Sequence, residues 1–496
     1  MFCYSLGRER QLFVDDMIVA RTEGLTKALH QPEKYEGNPV LAGDHPVEDG
    51  FACLHGTVLY DDEMGLFKAW YLTQSGIAYA FSEDGVHWRK LDRDTFLHDG
   101  AATPIVYRGA HPEALGPGAW KIDGCAVMLD PRAEAESRYR MFSFQAHMDP
   151  KAQERDPDNT YGYFLATSPD GIHWTGPRAP AINRNDDPWM SDACSCAYDS
   201  RRQRFIAFTK RHQPCPNGMG DQDTMLRVRG IAFSDDWDHW TTPVNCLLPD
   251  DHDARDVNLY RMNGYAYESM YLGELEIYYS DHERVDRPLT RDVQLVSSRD
   301  GELWWRAGGR QTFIPCGPEG TWDGKLLDIN SGAPVLVDDT LWFYYGGRSY
   351  PHSTHPRFFP WDGERTVGIG LATLRRDGFV SYDAGSAGGT LLTKPISFDQ
   401  ASRLHLNVEA PRGELRVEVV AVDEYPDVPN SDKVWRHQHG APLPNRALDR
   451  CIPVTGDHLD ATVTWADGAD MAPLANQWIA LRFELRQARL YSFWFD

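Results

Sequence analysis

Positive charge is what this chain has least of. Fifty Lys and Arg stand against 73 Asp and Glu in 496 residues, a formal net charge of −23 at pH 7. Nucleic acid and anionic membrane surfaces both need a basic footprint, so neither is expected as a partner. Long apolar runs are also missing. None reaches the roughly 18–20 residues that span a bilayer. The opening MFCYSLGRERQLFVDD has no continuous apolar stretch of the secretory kind. Nine cysteines form no CxxC pair, and the CSC at 194–196 is too tightly spaced for an ordinary zinc knuckle. Reduced thiols in a cytoplasmic protein are expected, or a secreted one if a leader has been removed, with no metal and no cofactor.

Aromatic residues and turn formers are abundant. Sixteen Trp, 22 Tyr and 21 Phe accompany 42 Gly and 32 Pro, which favours a protein of strands and turns. One phrase recurs: SEDGVHW at 82–88, SPDGIHW at 168–174, SDDWDHW at 234–240 and SRDGELW at 298–304, with a degenerate fifth copy around Asp377. Each copy closes an apolar strand and supplies a tight turn, with Asp bonding its own backbone and Gly tolerating positive φ. Upstream of each copy lie a strand, a polar hairpin and a second, aromatic-rich strand, as in CLHGTVLYDDEMGLFKAWYL. Repetition of such a unit predicts a five-bladed β-propeller over residues 46–387. After about residue 388 the phrase stops, and LRVEVV, ATVTW, WIALRFEL and RLYSFWF predict a C-terminal β-sandwich over 388–496. Residues 1–45 form an N-terminal strand segment, in which QLFVDDMIV is positioned to close the ring by joining the last blade.

In a propeller, the starts of the first strands and the ends of the second strands meet at one mouth of the central channel, the default site. Carboxylates fall there: Glu48 and Asp49 before unit one, Asp123 in KIDGC, Asp192 in MSDAC, Asp256 in RDVN and Asp328 in LDIN. Crowded carboxylates push each other's pKa values apart, as acid–base chemistry on a glycosidic bond requires. Any one of them alone reads rather as a strand-start cap or a turn, and the shared register of the group favours function. Asp130, Asp199, Asp338 and Glu268 fall at the opposite hairpins and are read as solvated turns. Returning segments supply Lys210, Arg211 and His212, then Arg348, His352 and His355, with His282 in unit four. These cations suit an anionic group, or simply pair with the carboxylates. His55 is a channel contact or a satisfied core residue. Cys53, Cys125, Cys194 and Cys196 are packing on inner strands. Trp189, Tyr350 and Trp361 are stacking surfaces or loop filler.

With the strands and carboxylates placed, the chain resembles the five-bladed β-propeller glycoside hydrolases of families 32 and 43 and the mannoside phosphorylases of family 130. NPVL at 38–41 followed by GTVLYDDEMGLFKAWY is similar to a first-blade opening of this group. A propeller followed by a sandwich looks most like family 32, although its W-M-N-D-P-N-G motif is absent, so fructan specificity is not implied. The resemblance implies a base or nucleophile at Asp49, with Glu48 as competitor, a modulator at Asp123 and a general acid at Asp192. His55, Lys210, Arg211, His212, Asp256, Asp328, Arg348 and His352 would bind a carbohydrate, neutral or anionic. The expected activity is exo-acting hydrolysis of a glycosidic bond. The alternatives are phosphorolysis, with phosphate on the basic loop residues, and carbohydrate binding without turnover.

Overall fold

A computed structural model describes residues 3–496 except 115–119, 157, 215–224, 282–287, 353–360, 401–402 and 425–436. Its local order begins with the repeated phrase. In the first copy, Asp84 Oδ1 accepts from the backbone N–H of Val86 and His87, and its other oxygen meets His87 Nδ1 at 2.7 Å. Ser82 Oγ accepts from Gly85 N, and Trp88 Nε1 donates to the Gly85 carbonyl. The same set recurs around Asp170 and Asp236. Around Asp300 it recurs without the His. Gly is needed at two copies for space: a Cβ on Gly171 would lie 2.5 Å from Trp70, and one on Gly85 2.6 Å from the Tyr344 hydroxyl. The third copy places Trp237 at that position with φ 79°, its ring buried 4.9 Å from Phe205. The fifth copy differs. Asp377 accepts from Tyr267, Arg10 and Ser492 instead of its own turn.

Each turn ends the third strand of an antiparallel unit. The first unit comprises Cys53–Asp61, Leu66–Thr73, Gly76–Ser82 and Arg89–Lys90. The second comprises Trp120–Leu129, Tyr139–His147, Tyr161–Ser168 and Ile182–Asn183. The third comprises Met190–Asp199, Arg204–Pro214, Met225–Ser234 and Val244–Leu247. The fourth is built on Val257–Met262, Met270–Tyr279 and Arg291–Ser298, and the fifth on Leu326–Ile329, Thr340–Arg348 and Val367–Arg375. Units four and five share one sheet through a single parallel bridge between Arg291 and Leu326.

The first strands stand side by side in a circuit. Val127 N donates to Thr57 Oγ1, Ser195 Oγ to the Met262 carbonyl, and Ser331 N to the Gly56 carbonyl. Arg261 lies fully buried at the centre and donates to the carbonyls of Cys194, Leu54 and Ile329, so one guanidinium ties four units together. Burying that charge is tolerable because its donors are met by backbone acceptors.

The outer edge of unit five is completed from the N-terminal segment, but not by QLFVDDMIV. Glu33–Lys34 and Leu41–Ala42 pair with Val367–Arg375. Gln11–Leu12 instead pairs with Phe493 and Ser492, because Phe13 is buried in the C-terminal core while Leu12 and Val14 face units four and five. The C-terminal strands join Tyr4–Leu6, Gln11–Leu12, Val19–Glu23 and Leu25–Leu29 of the N-terminal segment in one hydrogen-bonded network of twelve strands. Its long strand Leu404–Glu424 pairs with Val454–Thr462, Ile479–Arg486 and Ala488–Phe495, and it curls around a core that includes Leu406, Val417, Phe483 and Phe493. At the joint between the regions, Arg10 pairs with Asp377 at 3.0 Å and stacks on Trp494, while Arg376 and the Arg10 backbone hold Glu268. Glu268 is therefore a clasp and not a solvated turn. Asp130 and Asp199 are likewise buried, against Arg140 and Tyr271 respectively, whereas Asp338 is exposed as expected.

Candidate functional site

The first strands of units two and three each break register at one point, between Ile122 and Cys125 and between Ser191 and Ser195. Such bulges re-aim side chains. Gly124 (φ 105°) and Ala193 (φ 58°) take the left-handed conformation there, directly after Asp123 and Asp192. At Gly124 the conformation is free of cost, and a Cβ would approach His55 within 3.0 Å. At Ala193 it is strained, and a strained residue beside a carboxylate in a cleft is a common mark of a functional position. The parallel spacing DGC and DAC thus gives parallel geometry.

Each carboxylate meets a lysine. Lys121 Nζ lies 2.7 Å from Asp123, and Lys210 forms an ion pair with Asp192. The surroundings differ. Burial would raise Asp123, but the His55 ring and the Lys121 ammonium hold its carboxyl far below the usual range. Lys121 is raised, burial being outweighed by Asp123 and Asp192. Lys210 is nearly fully buried, and this lowers its pKa despite the pull of Asp192. Tyr260 lies beside them, with Lys210 Nζ 4.5 Å from its ring centre, Arg291 Cζ 4.3 Å and the His352 ring 5.1 Å.

Asp328 is the buried hub on the other side. It accepts from His55 Nε2 at 3.1 Å, from Arg348 at 3.2 and 3.3 Å, from Cys53 Sγ and from Arg291. Arg291 also pairs with Glu276 at 3.2 Å. His55 is pushed down to about 4 by burial and by Arg261 and Arg348, against the opposing pull of Asp123. Its Nδ1 lies 3.8 Å from Asp123. Cys53, His55 and Asp328 bring one ligand atom each within 4.8 Å of one another, the spacing of a metal site. Their chemistry does not fit a cation, because two guanidiniums already neutralise the shared carboxylate.

The structure thus gathers Asp123, Asp192, His55, Lys210, Asp328, Arg348 and His352. It does not gather the rest. Glu48 is sealed beneath unit one, where it accepts from Tyr71, Lys90 and the His45 backbone. Asp49 is an exposed turn residue with φ 50°, two positions before Phe51, whose ring lies 5.5 Å from the Arg348 guanidinium. Arg211 points away from Lys210, as alternation along a strand requires. It pairs with Asp187 at 2.8 and 3.0 Å. His212 lines an outer groove with Trp189, Gln213 and Asn245. Asp256 opens unit four as a turn whose carbonyl accepts from Ser280 and Asn258. His282 and His355 lie outside the described residues. Cys53, Cys125, Cys194 and Cys196 are buried, and burial raises the Cys194 thiol to about 12, which fits packing.

Sequence reasoning missed Lys121, Tyr260, Arg261, Glu276 and Arg291. A signal existed: VNLYRM and LGELEIYY place charged residues inside otherwise apolar strands.

No protein-family model matches the chain. Two uncharacterized proteins from strains of Mycobacterium tuberculosis are 28% identical over 196 residues, 36% of this chain and 52% of theirs. The chain spans about half the length of the curated relatives it matches. Among solved structures, an N-acetylgalactosamine deacetylase from F. plautii with blood group B trisaccharide aligns at TM-score 0.44 and 15% identity, over 72% of this chain and 96% of that one. A thermostable family-43 glycoside hydrolase aligns at 0.44 and 12%, over 71% and 95%. A fructofuranosidase from Schwanniomyces occidentalis complexed with fructosylnystose aligns at 0.39 and 11%, over 94% and 96%. Likenesses at this distance leave function to be argued from the site.

Proposed function

We propose that this chain is a glycoside hydrolase built on a five-bladed propeller, acting on an oligo- or polysaccharide at the mouth described above. One observation carries the reading. Asp123 and Asp192 leave matching bulges of neighbouring first strands, each paired with a lysine. Asp123, held ionised, serves as the modulator and stabilises positive charge developing at the anomeric carbon. Asp192, about a third exposed, is the partner open to substrate and serves as the acid at the leaving oxygen. Of the two carboxylates before unit one, Glu48 has no solvent path, so Asp49 takes the base or nucleophile role. The phosphorylase reading puts phosphate on Lys210, Arg211, His212 and Arg348, and of these Arg211 is turned to the other face of its strand and paired with Asp187.

Product release from plant and algal oligosaccharides, with and without phosphate, tests the proposal in wild type, Asp192→Asn and Asp123→Asn. Phosphate-independent release that falls about a hundred- to ten-thousand-fold in Asp192→Asn supports it. Release only with phosphate, or binding of saccharides with no release, overturns it.

A further inference from the structure

The cations of the mouth converge on one place. Lys210 and Arg291 reach the Tyr260 ring from units three and four, and Arg348 faces Arg291 across Asp328. Lys121, its side chain 51% exposed, stands at the rim beside Asp123. Lys210 is the floor. Its ammonium has three donors and its ion-pair partner is one carboxylate, Asp192. The His352 imidazole senses the result. After burial, the groups that push it below its ordinary range are Arg291, Arg227, Arg348 and Lys210, all cations. On a chain of net charge −23, an anion is repelled almost everywhere and drawn only toward a local field of the other sign.

We propose that the mouth takes an acidic sugar, a ring carrying a carboxylate or a sulfate ester, with the anionic group held by Lys210, Lys121 and Arg348. This rests on the carbohydrate reading of the site, and it names the substrate class. The anion would use the lysine donors that Asp192 leaves open, and it would be selected over a neutral sugar by charge-assisted hydrogen bonds. A neutral sugar entering the same place would leave those donors desolvated and unmet.

Calorimetry on the full chain tests it with matched pairs: D-glucuronate against D-glucose, D-galacturonate against D-galactose, and galactose 6-sulfate against galactose. At least one acidic member is expected to bind about tenfold or more tightly than its neutral parent, with the preference shrinking as salt rises. The uronate and sulfate arms separate the two sources of charge. Lys210→Gln is expected to abolish the preference. Lys121→Gln, at the open rim, is expected to weaken it with an unchanged melting temperature, so a variant that fails to fold does not decide the matter. Equal affinity within every pair, or a preference unmoved by salt and by Lys121→Gln, overturns the inference. Hydrolysis is read separately. Cleavage of neutral oligosaccharides without acidic preference removes this inference and leaves the hydrolase. Acidic binding without product removes the hydrolase and leaves the inference.

Discussion

Two sets of aspartates lie at opposite ends of the same units. At one end, Asp84, Asp170, Asp236 and Asp300 are satisfied within their own seven-residue turns by backbone N–H groups and a neighbouring Ser. At the other, Asp123, Asp192 and Asp328 are satisfied by Lys, Arg and His, and Asp328 draws every one of its side-chain partners from outside its own strand. An aspartate that meets its own turn needs nothing from the rest of the molecule, and so it reads as scaffold. One that waits for a cation brought by a distant strand is committed only when the ring has closed, which is how a site is assembled. The contrast also explains why the repeated phrase, the loudest signal in the sequence, says little about chemistry.

The comparison can be broken from either side. The largest effect is expected at the mouth, where Asp192→Asn should lose activity as stated above while the melting temperature stays close to wild type. Loss of fold together with loss of activity would make Asp192 scaffold after all. Asp328→Asn should come next. It leaves two guanidiniums facing a neutral amide in a buried hub, and breaking such a pair costs about 3–5 kcal/mol, readable by denaturant titration. A cost under about 1 kcal/mol would mean that Asp328 is not the hub. Asp170→Ala should cost less, about 1–2 kcal/mol, the loss of a local cap with its partners able to reach water, and should leave activity untouched.

How much of this was open to reading from the chain follows the same line. The turns, hairpins and first strands were legible because their bonds are local: SPDGIHW dictates its own geometry. The matched DGC and DAC spacing pointed to Asp123 and Asp192, since a bulge needs only a residue that accepts positive φ and a strand on each side. Adjacency in the sequence groups Arg211 with Lys210, although alternation along the strand sends immediate neighbours to opposite faces. Arg291 and Tyr260 stayed hidden because their partners lie on other strands. The closing strands at 33–34 and 41–42 stayed hidden because pairing with residues 367–375 is set by the whole ring and not by the segment's own pattern.

The smallest effect sharpens the comparison through pH. Asp170 and Asp236 are both lowered to about 2. For Asp170 burial works upward but is outweighed by bonds from His173 and Ile172, and for Asp236 the backbone and side chain of His239 dominate. A carboxyl whose folded pKa is depressed stabilises the fold fully above its unfolded value near 4 and loses that contribution as pH falls through about 2. Stability should therefore decline between about pH 4 and pH 2, less steeply in Asp170→Ala than in wild type. Parallel curves for the two proteins would show that the turns do not carry the titration.

One feature reaches further than packing. Gln11–Leu12 pairs with Phe493 and Ser492, and residues 33–42, a few positions later, supply the outer strands of the fifth unit. During synthesis residues 11–12 must therefore wait for residues 492–493, which follow them by about 480 positions. Units one to three can form as they leave the ribosome, whereas the fifth unit's seam and the C-terminal sheet share a segment that finds its last partner only when strand 488–495 has emerged. Contacts this distant in sequence are slow to form. Loss of strand 488–495 would then be felt as an unfinished edge at residues 11–12, and partly made chains would offer that edge to their neighbours.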